Sequence, residues 1–150
     1  MRRPAPEQAA DIRHPGPRSV ERRPHRLCHA QNVSIALPSG TSLLNALADW
    51  TETAGYDSAV LDLTGLNLSA FDYVMPDSAV DDRHAAWYSD TRHSAAAELS
   101  DAVAIVGHRD GQCFAHIHAY WTQAGVEHLG HLLPETLRVG TECKVSGFGI

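Results

Sequence analysis

Two turns of two residues each constrain most of what this chain can become. Asp110-Gly111 separates strand-like runs over 102–108 and 112–122, and Ala124-Gly125 separates the second run from a third over 127–133. Asp-Gly between two such runs is a strong signal for a hairpin whose turn twist matches its strands. A two-residue loop also sets the register, because facing residues then have numbers that add up to the sum of the two turn residues. The three runs are therefore one antiparallel meander, and the face on which each side chain emerges follows from its number alone.

The rest of the chain supplies a partner for that meander. Pro38-Ser39-Gly40 breaks a first strand over 27–37. Thr41 then stands as an N-cap before Leu43, Leu47, Trp50 and Ala54, and Gly55 sits where a C′ glycine belongs. This predicts an amphipathic helix over 42–54. Residues 58–65 read as a strand with Ala59, Leu61 and Leu63 on one face. Weaker strands are expected over 68–74 and 84–89, separated by a turn over 75–82, and a last strand over 141–147 after Pro134 closes the meander. One helix among many strands gives an α+β fold, a mostly antiparallel β-sheet with one main helix packed on one face.

Length and charge bound the organisation. The chain has 150 residues, 43% of them apolar, enough for one domain with a sizeable core. Residues 1–26 carry five of the eight prolines and seven arginines against three acids, a net +4, so they read as an irregular arm preceding a single domain over 27–150. The domain holds five basic and fifteen acidic side chains, a net −10. Such a body repels phosphate, so nucleic acid could be gripped only through the arm. No apolar run is long enough to span a bilayer, and the first residues lack the apolar region of a secretory signal. Cys28, Cys113 and Cys143 are an odd set without a C-x-x-C spacing, which suits reduced thiols in the cytoplasm.

The chemistry concentrates on the meander. His116 and His118 are two apart in one strand and leave the same face, roughly 7 Å apart along it. With ten histidines in the chain, such a pair alone means little. The second turn changes that, since it sets His131 directly opposite His118, with Cβ atoms about 5 Å apart. Three imidazoles then converge on one patch of sheet, a facial set that a tetrahedral or octahedral metal accepts with positions left open. The same arithmetic puts His108, His128 and Cys113 on the opposite face, outside the site. Trp87 and Tyr88 are read as core or subunit-interface packing ahead of pocket lining, and Trp87, Tyr120 and Trp121 are buried-looking aromatics on strands. Tyr120 shares the histidine face and Trp121 the other, so one helix cannot cover all the apolar surface and a neighbouring copy is expected to.

The run Gly107-His-Arg-Asp-Gly-Gln-Cys-Phe-Ala-His-Ile-His-Ala, followed by Gly130-His-Leu-Leu-Pro-Glu, resembles the plants-and-prokaryotes-conserved (PPC) domain. The likeness covers roughly 27–148 and extends more weakly through the Gly40-Thr-Ser-Leu-Leu helix start and Asp57-Ser-Ala-Val-Leu. It implies an α+β fold, a homotrimer, and a metal, often zinc, on His116, His118 and His131. Plant members join the domain to Arg-Gly-Arg-Pro hooks, and stand-alone bacterial members often carry a provisional DNA-binding label. Here Arg2-Arg3-Pro4 and Arg22-Arg23-Pro24 lack the Gly-Arg-Pro core. The stretch Ala85-Ala86-Trp87-Tyr88-Ser89 is longer and more aromatic than the general domain.

Three functions are compatible with these residues. A three-histidine metal could activate water for hydrolysis or hydration of a small polar or anionic substrate, with Glu135, of the same parity as His131, as general base. Alternatively the chain is a non-catalytic trimeric binding module that captures a small anionic ligand on the metal. The third reading is DNA binding through the basic arm.

Overall fold

A computed structural model describes residues 27–79, 81 and 87–150. The strands are β1 (Gln31–Leu37), β2 (Ala59–Asp62), β3 (Asn67–Leu68), β4 (Phe71–Val74), β5 (Pro76–Asp77), β6 (Trp87–Tyr88), β7 (Arg92–Ser94), β8 (Ala97–Arg109), β9 (Gln112–Gln123), β10 (Val126–Leu132) and β11 (Cys143–Gly149). The helix α1 spans Leu43–Ala54, and a single 3-10 turn covers Pro134–Thr136. The arm over 1–26 and the first half of the strand expected over 84–89 lie outside the described residues.

Both turn dipeptides adopt the left-handed backbone that a type I′ hairpin demands, with φ of 53° and 77° at Asp110 and Gly111, and 50° and 79° at Ala124 and Gly125. The registers follow, with His108 facing Cys113 around the first turn and His118 facing His131 around the second. This meander is the middle of a sheet ordered β1-β11-β2-β8-β9-β10-β4-β7, antiparallel at every pairing along this path, with β3 added on β8. β5 and β6 form a separate two-stranded ribbon.

Several boundaries shift from those expected. β8 begins five residues earlier, at Ala97, and absorbs a bulge between Leu99 and Asp101 that restores its facing. The run over 68–74 is broken at Ser69-Ala70 into β3 and β4, because Leu68 and Phe71 pair with different strands. The last strand runs two residues further than expected, since β11 is held along its whole length by β1. The helix is capped by Ser42 rather than Thr41. Its hydroxyl accepts from the Asn45 N–H, whereas Thr41 donates its own to the Pro38 carbonyl. Its buried stripe is Leu43, Leu47 and Thr51, rotated from the expected one, which leaves Ala54 exposed. Gly55 terminates it in the left-handed region, its N–H donating to the Thr51 carbonyl.

Parity divides the sheet into two unequal faces. Ala102, Ala104 and Val106 of β8, Ala115, Ile117, Ala119 and Trp121 of β9, and Leu132 of β10 point to the helix side and are buried. Trp121 is fully enclosed there, with Phe71 and Tyr73 edge-on at 5.3 Å and 4.8 Å and its indole N–H donating to the Ser94 hydroxyl. That bond satisfies the one polar atom of a large apolar side chain and ties β7 and β4 to the meander. On the opposite face Val60, Val103, Ile105, Leu129 and Phe148 remain exposed.

Candidate metal centre

The histidines lie on that open face. Alternation along β9 turns His116 and His118 outward while their neighbours Ala115, Ile117 and Ala119 enter the core. The register of β10 then brings His131 opposite His118. Ring centroids are 4.7 Å apart for His116 and His118, 4.6 Å for His116 and His131, and 5.3 Å for His118 and His131. One ring nitrogen from each falls within 4.8 Å of the other two. His131 Nδ1 lies 3.3 Å from His118 Nε2. Two nitrogens at tetrahedral zinc-bond lengths are about 3.3 Å apart, so this pair stands at chelating separation before any ion is considered. The donor set, three imidazoles and no carboxylate, fits a borderline metal such as zinc.

The electrostatics favour the neutral form at His116 and His131. Burial lowers the pKa of His116, and repulsion from His118 adds to the effect. His131 is lowered first by burial and then by His116 and His118, with the Glu135 carboxylate pulling the other way. Glu135 is exposed on the Pro134–Thr136 turn, close enough for its charge to be felt by His131, though it is not one of the clustered donors.

Gly130 lets β4 pack closely against β10 beside His131. A Cβ there would meet the Tyr73 ring at 2.7 Å and the Val74 carbonyl at 3.2 Å. The absence of a side chain lets Tyr73 of β4 lie across β10 on the core side while His131 projects from the other face. This gives the Gly-His-Leu sequence a packing reason that the sequence alone does not reveal.

A cavity of about 360 Å³ opens in front of the imidazoles, walled by Met75, Pro76, Tyr88 and Leu129 together with Gly130. This wall escapes a reading from sequence, because β5 and β6 are only two residues each and carry no periodicity. Trp87 and Tyr88 are not core residues of the chain, being 44% and 58% exposed, and Tyr88 lines the cavity. The Tyr88 ring centroid lies 5.7 Å from that of His131. The two-residue ribbon places it there, since Tyr88 pairs with Pro76 directly after the end of β4. Tyr120 is half-exposed, and of the three aromatics only Trp121 is fully buried.

The residues set aside by parity are elsewhere, as expected. His128 stacks on Trp121 at 5.3 Å on the core side, and its Nδ1 lies 3.4 Å from the Tyr73 hydroxyl. His108 donates from Nδ1 to the Asp57 carbonyl at 3.1 Å. It shares a larger cavity of about 610 Å³ with Cys113, Glu52 and Asp57 beside the end of α1. Size does not make that cavity the reactive site: burial pushes the Cys113 thiol up, away from thiolate, and His108 is already engaged.

No protein-family model matches the sequence, and no curated protein matches it. Solved structures do. A metal-containing protein of Archaeoglobus fulgidus superposes with a TM-score of 0.57 at 19% identity, over 79% of each chain. A Ralstonia eutropha JMP134 protein, provisionally described as DNA-binding, gives 0.58 at 19% identity over 77% of this chain and 75% of its own. A plant- and prokaryote-conserved protein of Pyrococcus horikoshii gives 0.56 at 16% identity over 80% and 79%. Identities this low speak to architecture, and the architecture matches the resemblance carried by the His-x-His and Gly-His-Leu residues: the chain has the fold of the plant- and prokaryote-conserved (PPC) proteins.

Proposed function

We propose that this chain is a divalent-metal protein, its metal zinc, held by His116, His118 and His131 with at least one position free for a small anionic or polar ligand. The observation that carries the reading is the convergence of three ring nitrogens within 4.8 Å at the floor of a cavity. The same-fold protein of Archaeoglobus fulgidus is described as metal-containing, which supports it. A zinc ion so bound supplies Lewis acidity and brings the pKa of a coordinated water toward 7. The chain's own part is to disfavour the charged forms of His116 and His131 by burial, to offer an apolar wall against bulk water, and to hold Glu135 near His131 as proton acceptor. Capture without turnover needs the first two of these and not the third.

The proposed unit is a homotrimer in the cytoplasm. Its support is the open sheet face, where Val60, Val103, Ile105 and Phe148 are 42%, 42%, 54% and 54% exposed. Such a surface beside the histidines asks for a second copy of the chain, which would bring the metal near a subunit boundary. The three cysteines are free thiols, in keeping with a reducing compartment.

DNA binding is the second reading, favoured by the Ralstonia eutropha relative's description. Charge opposes it, because only the arm over 1–26 carries a basic excess. Elemental analysis of protein purified without an affinity tag tests the metal reading: one zinc per chain is expected, and metal-free wild-type protein that stays so after incubation with zinc would end it.

A further inference from the structure

Building on the metal reading above, we infer that the cavity in front of His116, His118 and His131 selects a monocarboxylate whose body is a single aromatic ring or an apolar group of that size. Three neutral imidazoles leave both charges of a divalent ion uncompensated. Among the described residues no Asp, Glu, Lys or Arg lines the cavity, and Glu135, whose charge His131 feels, is outside that lining. An uncompensated charge against an apolar wall is costly, so an anionic head on the ion is favoured. A polyanion such as a phosphate ester would need basic residues, and the described lining has none. A sugar would need hydrogen-bonding side chains, and among the described residues the wall beyond the histidines offers a methionine, a proline, a leucine and one tyrosine.

The wall is built to hold a compact apolar body. Met75, Pro76 and Tyr88 form one braced unit: Pro76 and Tyr88 face each other in the β5–β6 ribbon, the Ser89 N–H donates to the Met75 carbonyl at 2.8 Å, and the Met75 N–H donates to the Ser89 hydroxyl at 3.1 Å. The Tyr88 ring stands 5.7 Å from the His131 ring at an interplanar angle of 53°. A ligand ring attached to a head on the metal would meet Tyr88 at ordinary aromatic distance, with the Met75 thioether as a second contact. The volume of about 360 Å³ sits at the small end of ligand cavities and has room for a ring with its carboxylate.

The test uses the full-length, zinc-loaded protein and compares acetate, benzoate and inorganic phosphate by titration calorimetry, with zinc content measured on the same samples. Benzoate is expected to bind at least about tenfold more tightly than acetate, and phosphate no better than acetate. Tyr88→Ala should shrink the benzoate advantage to less than about threefold while zinc stays at one per chain. Tyr88→Phe should keep the advantage, which separates a lost ring contact from a disturbed fold. Protein that holds no zinc overturns this inference together with the metal reading. Zinc-loaded protein that binds acetate as tightly as benzoate, prefers phosphate, or keeps its full benzoate preference in Tyr88→Ala overturns the selectivity alone and leaves the metal reading standing.

Discussion

His131 stands directly opposite His118 across the β9–β10 ladder, with its Nδ1 3.3 Å from the other's Nε2. For that contact to be a hydrogen bond, one of the two nitrogens must carry a proton. With both unprotonated, the pair presents two lone pairs at chelating separation, and His116, one strand repeat away, adds the third. The arrangement therefore reads as a preformed ligand set held by strand register rather than by side-chain contacts.

Removing one ligand should abolish the site without unfolding the protein. His118 is exposed and outside the core, so His118→Ala is expected to lose stoichiometric zinc while the melting temperature of the metal-free protein moves by only a few degrees. Elemental analysis and thermal melts on one preparation check both halves.

The metal-free protein should lose stability as the pH falls below neutrality. His116 and His131 are held below the usual imidazole range by burial and mutual repulsion, with Glu135 a partial counterweight on His131. The unfolded chain therefore takes up protons first as pH drops through about 6.5. Stability is complete above that value, declines through the window down to the folded-state pKa, and is level below it. Chelator-treated protein is expected to melt lower at pH 5 than at pH 7.5, and His131→Gln to show a smaller difference. An unchanged difference in that variant would place the titration elsewhere.

Assembly should depend on the open sheet face. Val60 lies between Phe148 of β11 and Ile105 of β8, all three exposed. Light scattering is expected to give three times the 16.3 kDa chain mass for the wild type and a smaller species for Val60→Asp. A wild-type monomer that still binds zinc would refute both the trimer and its link to the site.

DNA affinity should be weak and carried by the arm. At physiological salt it is expected to fall in the non-specific range, roughly 10⁻⁴ to 10⁻⁶ M, and deleting residues 1–20 should remove what remains. A sequence-specific gel shift by the shortened chain would reverse this.

One glycine should be intolerant for steric reasons. A Cβ at Gly147 would overlap the Val60 carbonyl oxygen and stand 2.9 Å from Leu61 Cα, and both are backbone atoms of β2 that cannot swing aside. Gly147→Ala is expected to cost about 2–4 kcal/mol in denaturant unfolding. Gly107→Ala, in open space at negative φ, serves as the tolerant control.

The sequence by itself determined the meander and, through it, the histidine cluster. Asp110-Gly111 and Ala124-Gly125 are local devices: a two-residue turn fixes register, and a period of two fixes facing, so His116, His118 and His131 could be assigned to one face by counting. The same parity kept His108, His128 and Cys113 apart from them. Capping and helix phase were legible only to within a residue or so, because Ser42 and Thr41 are chemically equivalent candidates and the buried stripe is chosen by the sheet beneath it. The wall of the site was not legible at all. Met75, Pro76 and Tyr88 belong to a ribbon too short to show a period, and their place beside His131 comes from β4 crossing β10 at Val74. Gly130 likewise gains its meaning only from Tyr73, 57 positions earlier in the chain. Contacts between distant segments leave no mark on local pattern, so tertiary structure alone decided what kind of chamber the three histidines face.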